Sequence, residues 1–133
     1  MPFLRVLDLS RALAGPLAAM TLADLGADVI KVERPGSGDD TRGWGPPFDE
    51  HGLSAYFLSV NRNKLSLTLD LGDPEDRATL LELLATADAL IENFRPGALD
   101  RLGLDVQELL TRYPTLVWCT ISGFGPDVER SGY

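Results

Sequence analysis

Apolar residues along the chain fall into short runs that switch between two periods. Residues 4–9 read Leu-Arg-Val-Leu-Asp-Leu and residues 28–33 read Asp-Val-Ile-Lys-Val-Glu. Runs of this length, bounded by turn residues, predict strands. Between them, Pro16 stands where a first helical turn tolerates proline. Residues 17–25 then carry Leu17, Met20 and Leu25 among small alanines, and Gly26 supplies a C-terminal cap. Strand, helix and strand within about thirty residues make a βαβ unit, which predicts parallel pairing. Residues 34–52 break the pattern with Arg34, Arg42 and Trp44 among glycines and prolines. A long irregular stretch inside a compact domain is either functional or without fixed structure, and its arginines and Trp favour function.

The alternation resumes afterwards. Residues 53–60 predict a short helix, and residues 64–69 a strand in which Leu65, Leu67 and Leu69 alternate with Ser66 and Thr68. Asp73-Pro74-Glu75-Asp76 has the chemistry of a helix start, with a capping acid, a first-turn proline and acids near the positive end. Leu80, Leu81, Leu83 and Leu84 give that helix its apolar face, which runs to Ala87. Residues 88–92 predict a strand, 96–102 and 105–113 two short helices, and 116–122 a last strand, before a glycine-rich loop over 123–133. The result is an α/β fold: a mostly parallel sheet with flanking helices. Such sheets bind ligands at the C-terminal ends of their strands. That rule selects residues 10–14, 33–34, 93–95 and 122–125.

Charge narrows the function. Twelve Lys and Arg against 20 Asp and Glu give a net charge of −8. This disfavours nucleic acid and anionic membrane surfaces, so an anionic ligand needs a local basic site. The single cysteine, Cys119, excludes an internal disulfide framework and a Cys-rich zinc site, and the single histidine, His51, leaves a His-cluster metal site without ligands. The expectation is no metal. No apolar run approaches the ~20 residues of a membrane helix, and the first residues do not read as a signal peptide. A cytoplasmic protein is expected.

Each candidate residue also has a plain alternative. The turn 10–16 offers only Gly15 where a dinucleotide fold wants G-x-G-x-x-G, so NAD is disfavoured. Glu33 is placed to take ribose hydroxyls and Arg34 a phosphate, unless both are solvated strand-end residues. Asn93-Phe94-Arg95-Pro96-Gly97 follows a strand and opens a helix. It offers an anion site, with Phe94 to stack on a flat ring and Arg95 and Arg101 nearby. The alternative is a buried Phe, an Asn cap and surface arginines. Trp44, Tyr56 and Tyr133 read first as packing aromatics, Cys119 as core and His51 as loop surface. The acid pairs Asp39-Asp40, Asp49-Glu50 and Asp73-Glu75-Asp76 read as solvated or capping groups.

Several longer motifs carry a family resemblance. Residues 7–16 (LDLSRALAGP), 22–36 (LADLGADVIKVERPG), 39–44 (DDTRGW), 61–64 (NRNK), 92–97 (ENFRPG) and 121–125 (ISGFG) resemble, in that order, the class III CoA-transferases. That family includes formyl-CoA transferase, carnitine CoA-transferase and the 2-methylacyl-CoA racemases. The resemblance implies that residues 1–133 are the N-terminal part of the Rossmann-like, CoA-binding large domain of a longer two-domain protein, a homodimer of interlocked subunits. CoA and acyl-CoA are then substrates, with a carboxylic acid as acceptor. Ala12, Leu13 and Ala14 match the turn at the thioester end. Arg34 matches a residue near the nucleotide phosphates. Leu69, Asn93, Phe94, Arg101 and Leu102 match other CoA contacts, and Arg95 a CoA-binding arginine of the racemases. Trp44, Tyr56 and Tyr133 match positions lining the acyl site.

The resemblance also implies a covalent mechanism. A carboxylate nucleophile attacks the thioester to give a mixed anhydride, and CoA thiolate re-attacks to give an aspartyl-CoA thioester. CoA then passes to the acceptor. The nucleophilic Asp lies in a Gly-Asp turn expected beyond Tyr133, so this chain holds no catalytic residue and is expected to be inactive alone. Leu13 stands where some formyl-CoA transferases have Gln. Tyr133 stands where the racemases have a catalytic His, which favours transferase. The alternatives are a non-catalytic CoA- or nucleotide-binding module and a fragment of an acyl-CoA racemase.

Overall fold

The computed structural model of the chain describes residues 4–125. Its elements follow in the order β1 (Arg5–Asp8), α1 (Ala14–Asp24), β2 (Asp28–Glu33), a 3₁₀ turn (Asp40–Gly43), α2 (Ala55–Asn61), β3 (Lys64–Thr68), α3 (Pro74–Leu84), β4 (Ala89–Glu92), α4 (Ala98–Arg101), α5 (Val106–Arg112) and β5 (Val117–Thr120). The strands form one five-stranded sheet in the order β3-β2-β1-β4-β5. Every pairing is parallel, so the sheet is wholly rather than mostly parallel. This is the doubly wound order, whose switch point lies between β1 and β4.

Local chemistry sets the helix starts. The Asp73 side chain accepts from Glu75 N at 2.8 Å and Asp76 N at 3.2 Å, with Pro74 at the head of α3. Asp105 caps α5 from Gln107 N and Glu108 N, and Ser54 caps α2 from Phe57 N. Helix α1 has no side-chain cap; Pro16 lies in its first turn as expected, but the helix already starts at Ala14, inside the expected turn 10–14. Gly15 makes that early start possible. A Cβ there would lie 2.2 Å from Ser10 Cβ, so only glycine lets the helix close onto the end of β1.

The two faces of the sheet differ. One is aliphatic: Leu7, Leu9, Val32, Leu69 and Leu90 pack against Leu80 and Leu84 of α3 and against Leu99, Leu104 and Leu109 of the later helices. The other begins aliphatic, with Val6, Val29 and Ile91 against Ala19 and Ala23 of α1. Toward the C-terminal ends of the strands it becomes ionic. Lys64 Nζ donates to Asp8 Oδ2 at 2.8 Å, to Pro16 O at 2.8 Å and to Asn61 Oδ1 at 2.9 Å. Lys31 Nζ donates to Ser10 O at 2.9 Å and lies 3.0 Å from Asp39 Oδ2, off the hydrogen-bonding direction. The Lys31, Lys64, Asp8 and Asp39 side chains are each at most 2% exposed. Burial pushes the Lys64 ammonium below the ordinary lysine value, and Asp8 opposes that shift.

Two expectations fail at the margins. Cys119 is exposed, not core. It lies on edge strand β5, and its neighbour in the same register face, Val117, is 64% exposed because no described helix covers that side. Asp39 is buried rather than solvated, although the capping role expected as its alternative holds: its side chain accepts from Thr41 N at 3.0 Å at the head of the 3₁₀ turn. The pairing of Asp39 with Lys31 makes that burial tolerable.

The ionic cluster predicts a large mutational effect. Asp8→Ala leaves two buried ammonium groups short of an anion and lowers stability by about 3–5 kcal/mol, read from the urea denaturation midpoint. A loss below about 1 kcal/mol would show that water or side-chain rearrangement replaces the carboxylate.

Candidate functional site

The C-terminal ends of β1, β2 and β3 and the loop after β4 enclose a cleft of about 670 Å³ that opens to solvent. Its walls include Leu9, Val32, Leu69, Leu71, Phe94 and Leu102, which make an apolar slot. Its basic groups are Arg11, Lys31 and Arg34. Arg11 lies 5.4 Å over the Phe94 ring. Burial, then the like charge of Arg34, draws the Arg11 guanidinium below its ordinary value. Among the described residues neither Arg11 nor Arg34 has a carboxylate within ion-pair distance. An apolar slot beside two guanidinium groups lacking a carboxylate partner suits a flat ring joined to an anionic group.

Glu33 takes no part in that recognition. It is 5% exposed, a correction to the solvated or ribose-binding reading. Its carboxylate accepts from Arg42 Nε at 2.9 Å and Nη2 at 2.6 Å, from Asp39 N at 2.9 Å and from Ser66 Oγ at 2.8 Å. Burial disfavours the Glu33 charge, but the bonds from Arg42, Asp39 N–H and Ser66 outweigh it and hold the carboxyl below its ordinary value. Asp39 behaves alike: burial opposes ionisation, while Thr41 N–H and Lys31 prevail. The segment 34–52 is therefore folded back onto the sheet through Glu33. Arg42 is also stacked 3.9 Å over Phe57. At Gly38, whose φ is +63°, a Cβ would meet Arg42 Cδ at 2.7 Å.

The sequence-selected residues separate into groups. Arg34, Leu69, Phe94 and Leu102 converge on the cleft. Phe94 and Arg95 also line a neighbouring hollow of about 970 Å³ beside α4, floored by Glu92. Glu92 is 2% exposed and accepts from Phe94 N at 2.8 Å, which fixes the start of that loop. Asn93 lines neither hollow. Its Oδ1 accepts from Arg11 N at 2.9 Å, and its Nδ2 donates to Arg11 O at 2.8 Å. Arg101 lines neither hollow and packs toward Gly97. Ala12, with φ of 66°, Leu13, which is 47% exposed, and Ala14 form the turn beside the cleft without walling it. Trp44 and Tyr56 meet edge to face at 5.2 Å, away from both hollows. Tyr133 lies outside the described residues. His51 is surface, as expected. Among the described residues no group of three His, Cys, Asp or Glu side chains is placed to hold a metal.

Sequence reasoning missed Lys31 and residues 70–72 as cleft residues, and reached Arg11 only as a member of the rim loop 10–14. The signal for Lys31 was present: a charge at a buried-strand position needs a partner, and β1 supplies Asp8 at the same kind of position. Nothing in the turn 10–16 marks Arg11 apart from its place after β1.

The model of CoA-transferase family III matches residues 4–133. A mouse succinyl-CoA:glutarate CoA-transferase is 51% identical over 132 residues, which cover 97% of this chain and 30% of the relative. An acetyl-CoA:oxalate CoA-transferase of Acetobacter aceti is 50% identical over 92% of this chain and 31% of its own length. Among solved structures, a CAIB/BAIF family protein from Brucella suis superposes with a TM-score of 0.89 at 52% identity, over 98% of this chain and 36% of that one. The chain thus spans about a third of the length of the proteins it matches.

The Glu33 geometry sets a pH dependence. A carboxyl held below its unfolded value contributes stability above that value and loses it as pH falls through the folded one. Wild-type stability should therefore fall as pH drops from 5 toward 2. Glu33→Gln should be less stable at pH 7 and show a shallower fall over that window, measured by denaturation at fixed temperature. Parallel curves for the two proteins would remove Glu33 from the acid response.

Proposed function

The chain belongs to CoA-transferase family III, and on that premise we propose that it forms the CoA-binding portion of a longer acyl-CoA:carboxylate CoA-transferase. The observation that carries this reading is the cleft at the ends of β1, β2 and β3. There the apolar slot takes an adenine ring, and Arg34 donates to phosphate oxygens. The placement matches the general rule for doubly wound sheets. Leu69, Phe94 and Leu102 form the ring-binding wall, and Arg34 reaches the phosphates from the rim. Ala12, Leu13 and Ala14 present the turn past which the thioester end runs. Arg95 and Arg101 lie further along the loop and α4, available to outer parts of the ligand. Trp44, Tyr56 and Tyr133 line the acyl site.

The acceptor we propose is a dicarboxylic acid, in keeping with the glutarate and oxalate named for the two relatives. The nucleophilic Asp belongs to the part of the protein beyond Tyr133. The aspartyl-CoA thioester forms there, with the CoA end held by this chain. The complete protein is an interlocked homodimer acting in the cytoplasm.

The test is transfer by the protein that carries this chain. Incubated with succinyl-CoA and glutarate, it should yield glutaryl-CoA and succinate by liquid chromatography. Arg34→Ala should raise KM for the acyl-CoA about tenfold, the loss of one charge-assisted contact, with kcat little changed. No transfer to any dicarboxylate, together with no CoA binding in calorimetry, would refute the reading.

A further inference from the structure

The main chain of residues 10–12 is held from three directions by side chains of other elements. Lys31 of β2 donates to Ser10 O at 2.9 Å. Asn93, just past β4, brackets Arg11 by accepting from its N–H at 2.9 Å and donating to its carbonyl at 2.8 Å. Asp39 Oδ1 lies 3.4 Å from Ala12 N. The turn needs this support, because Ala12 occupies the left-handed region at φ 66°. That conformation is strained for a residue with a Cβ. The Asn93 bracket adds one side-chain rung beyond the last β1–β4 backbone bond, Leu9 N to Ile91 O at 2.9 Å. Both polar atoms of the Asn93 amide thereby bond Arg11, and Asn93 does not line the cleft.

The consequence falls on the Arg11 side chain. With its Cα fixed, the guanidinium stays over Phe94 and faces the cleft with Arg34. Two guanidinium groups near one another repel; Asp40 and Asp39 offset this at Arg11 only in part, and among the described residues neither guanidinium has a carboxylate within ion-pair distance. A phosphate between them would relieve the repulsion. We propose that Arg11 is a second phosphate-binding residue acting with Arg34, and that Asn93 is its positioning residue rather than a ligand contact. This rests on the CoA-binding reading above.

An uncharged positioning residue leaves a signature that a simple packing residue does not. Phosphate contacts make affinity fall with salt, and losing a cationic contact flattens that dependence. In the protein carrying this chain, Arg11→Ala should weaken CoA binding about tenfold and flatten the plot of log Kd against log salt. Asn93→Ala should flatten it equally although no charge is removed. The double variant should bind no worse than Arg11→Ala alone, since the two act through one contact. Asn93→Leu, which keeps the volume and the charge and loses both hydrogen bonds, serves if Asn93→Ala fails to fold, and should also flatten the slope. Wild-type binding of 3′-dephospho-CoA, compared with CoA, assigns the phosphate concerned: an Arg11→Ala effect that vanishes with the dephosphorylated ligand places it at the 3′ position, and one that persists places it at the diphosphate.

Additive losses with an unchanged salt slope for Asn93→Ala would overturn the positioning role. A normal Kd for Arg11→Ala alongside a weakened Arg34→Ala would overturn the role of Arg11 while leaving the CoA site standing. Failure of the wild-type protein to bind CoA at all would instead remove the reading on which both rest.

Discussion

Four charged side chains buried between the sheet and helices α1 and α2 set the terms for the rest of the molecule. Lys31 and Lys64 are shut away from water with Asp8 and Asp39, and neither ammonium is tolerable there without its carboxylate. The cluster draws on β1, β2, β3, the first turn of α1, the last residue of α2 and the loop after β2. It therefore works as a positional code. Shifting any of these elements by a residue would strand a charge, so the ends of β1 and β2 are held where the cleft needs them. An aliphatic core of the same volume would hold the elements together with less demand on their register.

The same logic separates residues that touch the cleft from residues that shape it. Glu33, Glu92 and Asn93 each stand at or just past a strand end, where a ligand-binding acid or amide is expected. Each is instead committed to protein: Glu33 to Arg42 and Ser66, Glu92 to the backbone at Phe94, and Asn93 to the backbone at Arg11. The groups left for a ligand are Arg11, Arg34 and the apolar wall. A carboxylate exhausted by a bidentate arginine cannot also take ribose hydroxyls, which is the structural counterpart of the missing glycine-rich turn.

The alternation of elements was legible because strands buried on both faces are near-continuous apolar runs and helix starts carry their own capping chemistry. Asp73, Pro74 and Asp105 act as their positions imply. Three of the four loops named from topology, 10–14, 33–34 and 93–95, supply cleft residues while 122–125 lines the neighbouring hollow, and Arg34, Leu69, Phe94 and Leu102 reach the cleft as the motifs suggested. What stayed hidden were long-range pairings. The burial of Glu33 depends on an arginine nine residues on and a serine 33 residues on, inside and beyond a stretch that reads as plain loop. Cys119 looked like core because its neighbours are apolar, but burial of an edge strand depends on what lies beside it, and β5 ends the sheet.

The position of β1 has a consequence in time as well as in space. It pairs with β2, with Val6 opposite Val29, and with β4, with Val6 opposite Ala89. A chain emerging from the ribosome can form the first pairing early, but it must carry one open edge of its central strand until β4 follows. Contacts so far apart in sequence slow folding, because loop closure precedes any gain from them. The Asn93 bracket on Arg11 is among the last links to become available. The ligand cleft is thus completed late in the assembly of the sheet, and a nascent chain arrested before residue 93 lacks both the Asn93 clamp and the Phe94 and Leu102 walls of the slot.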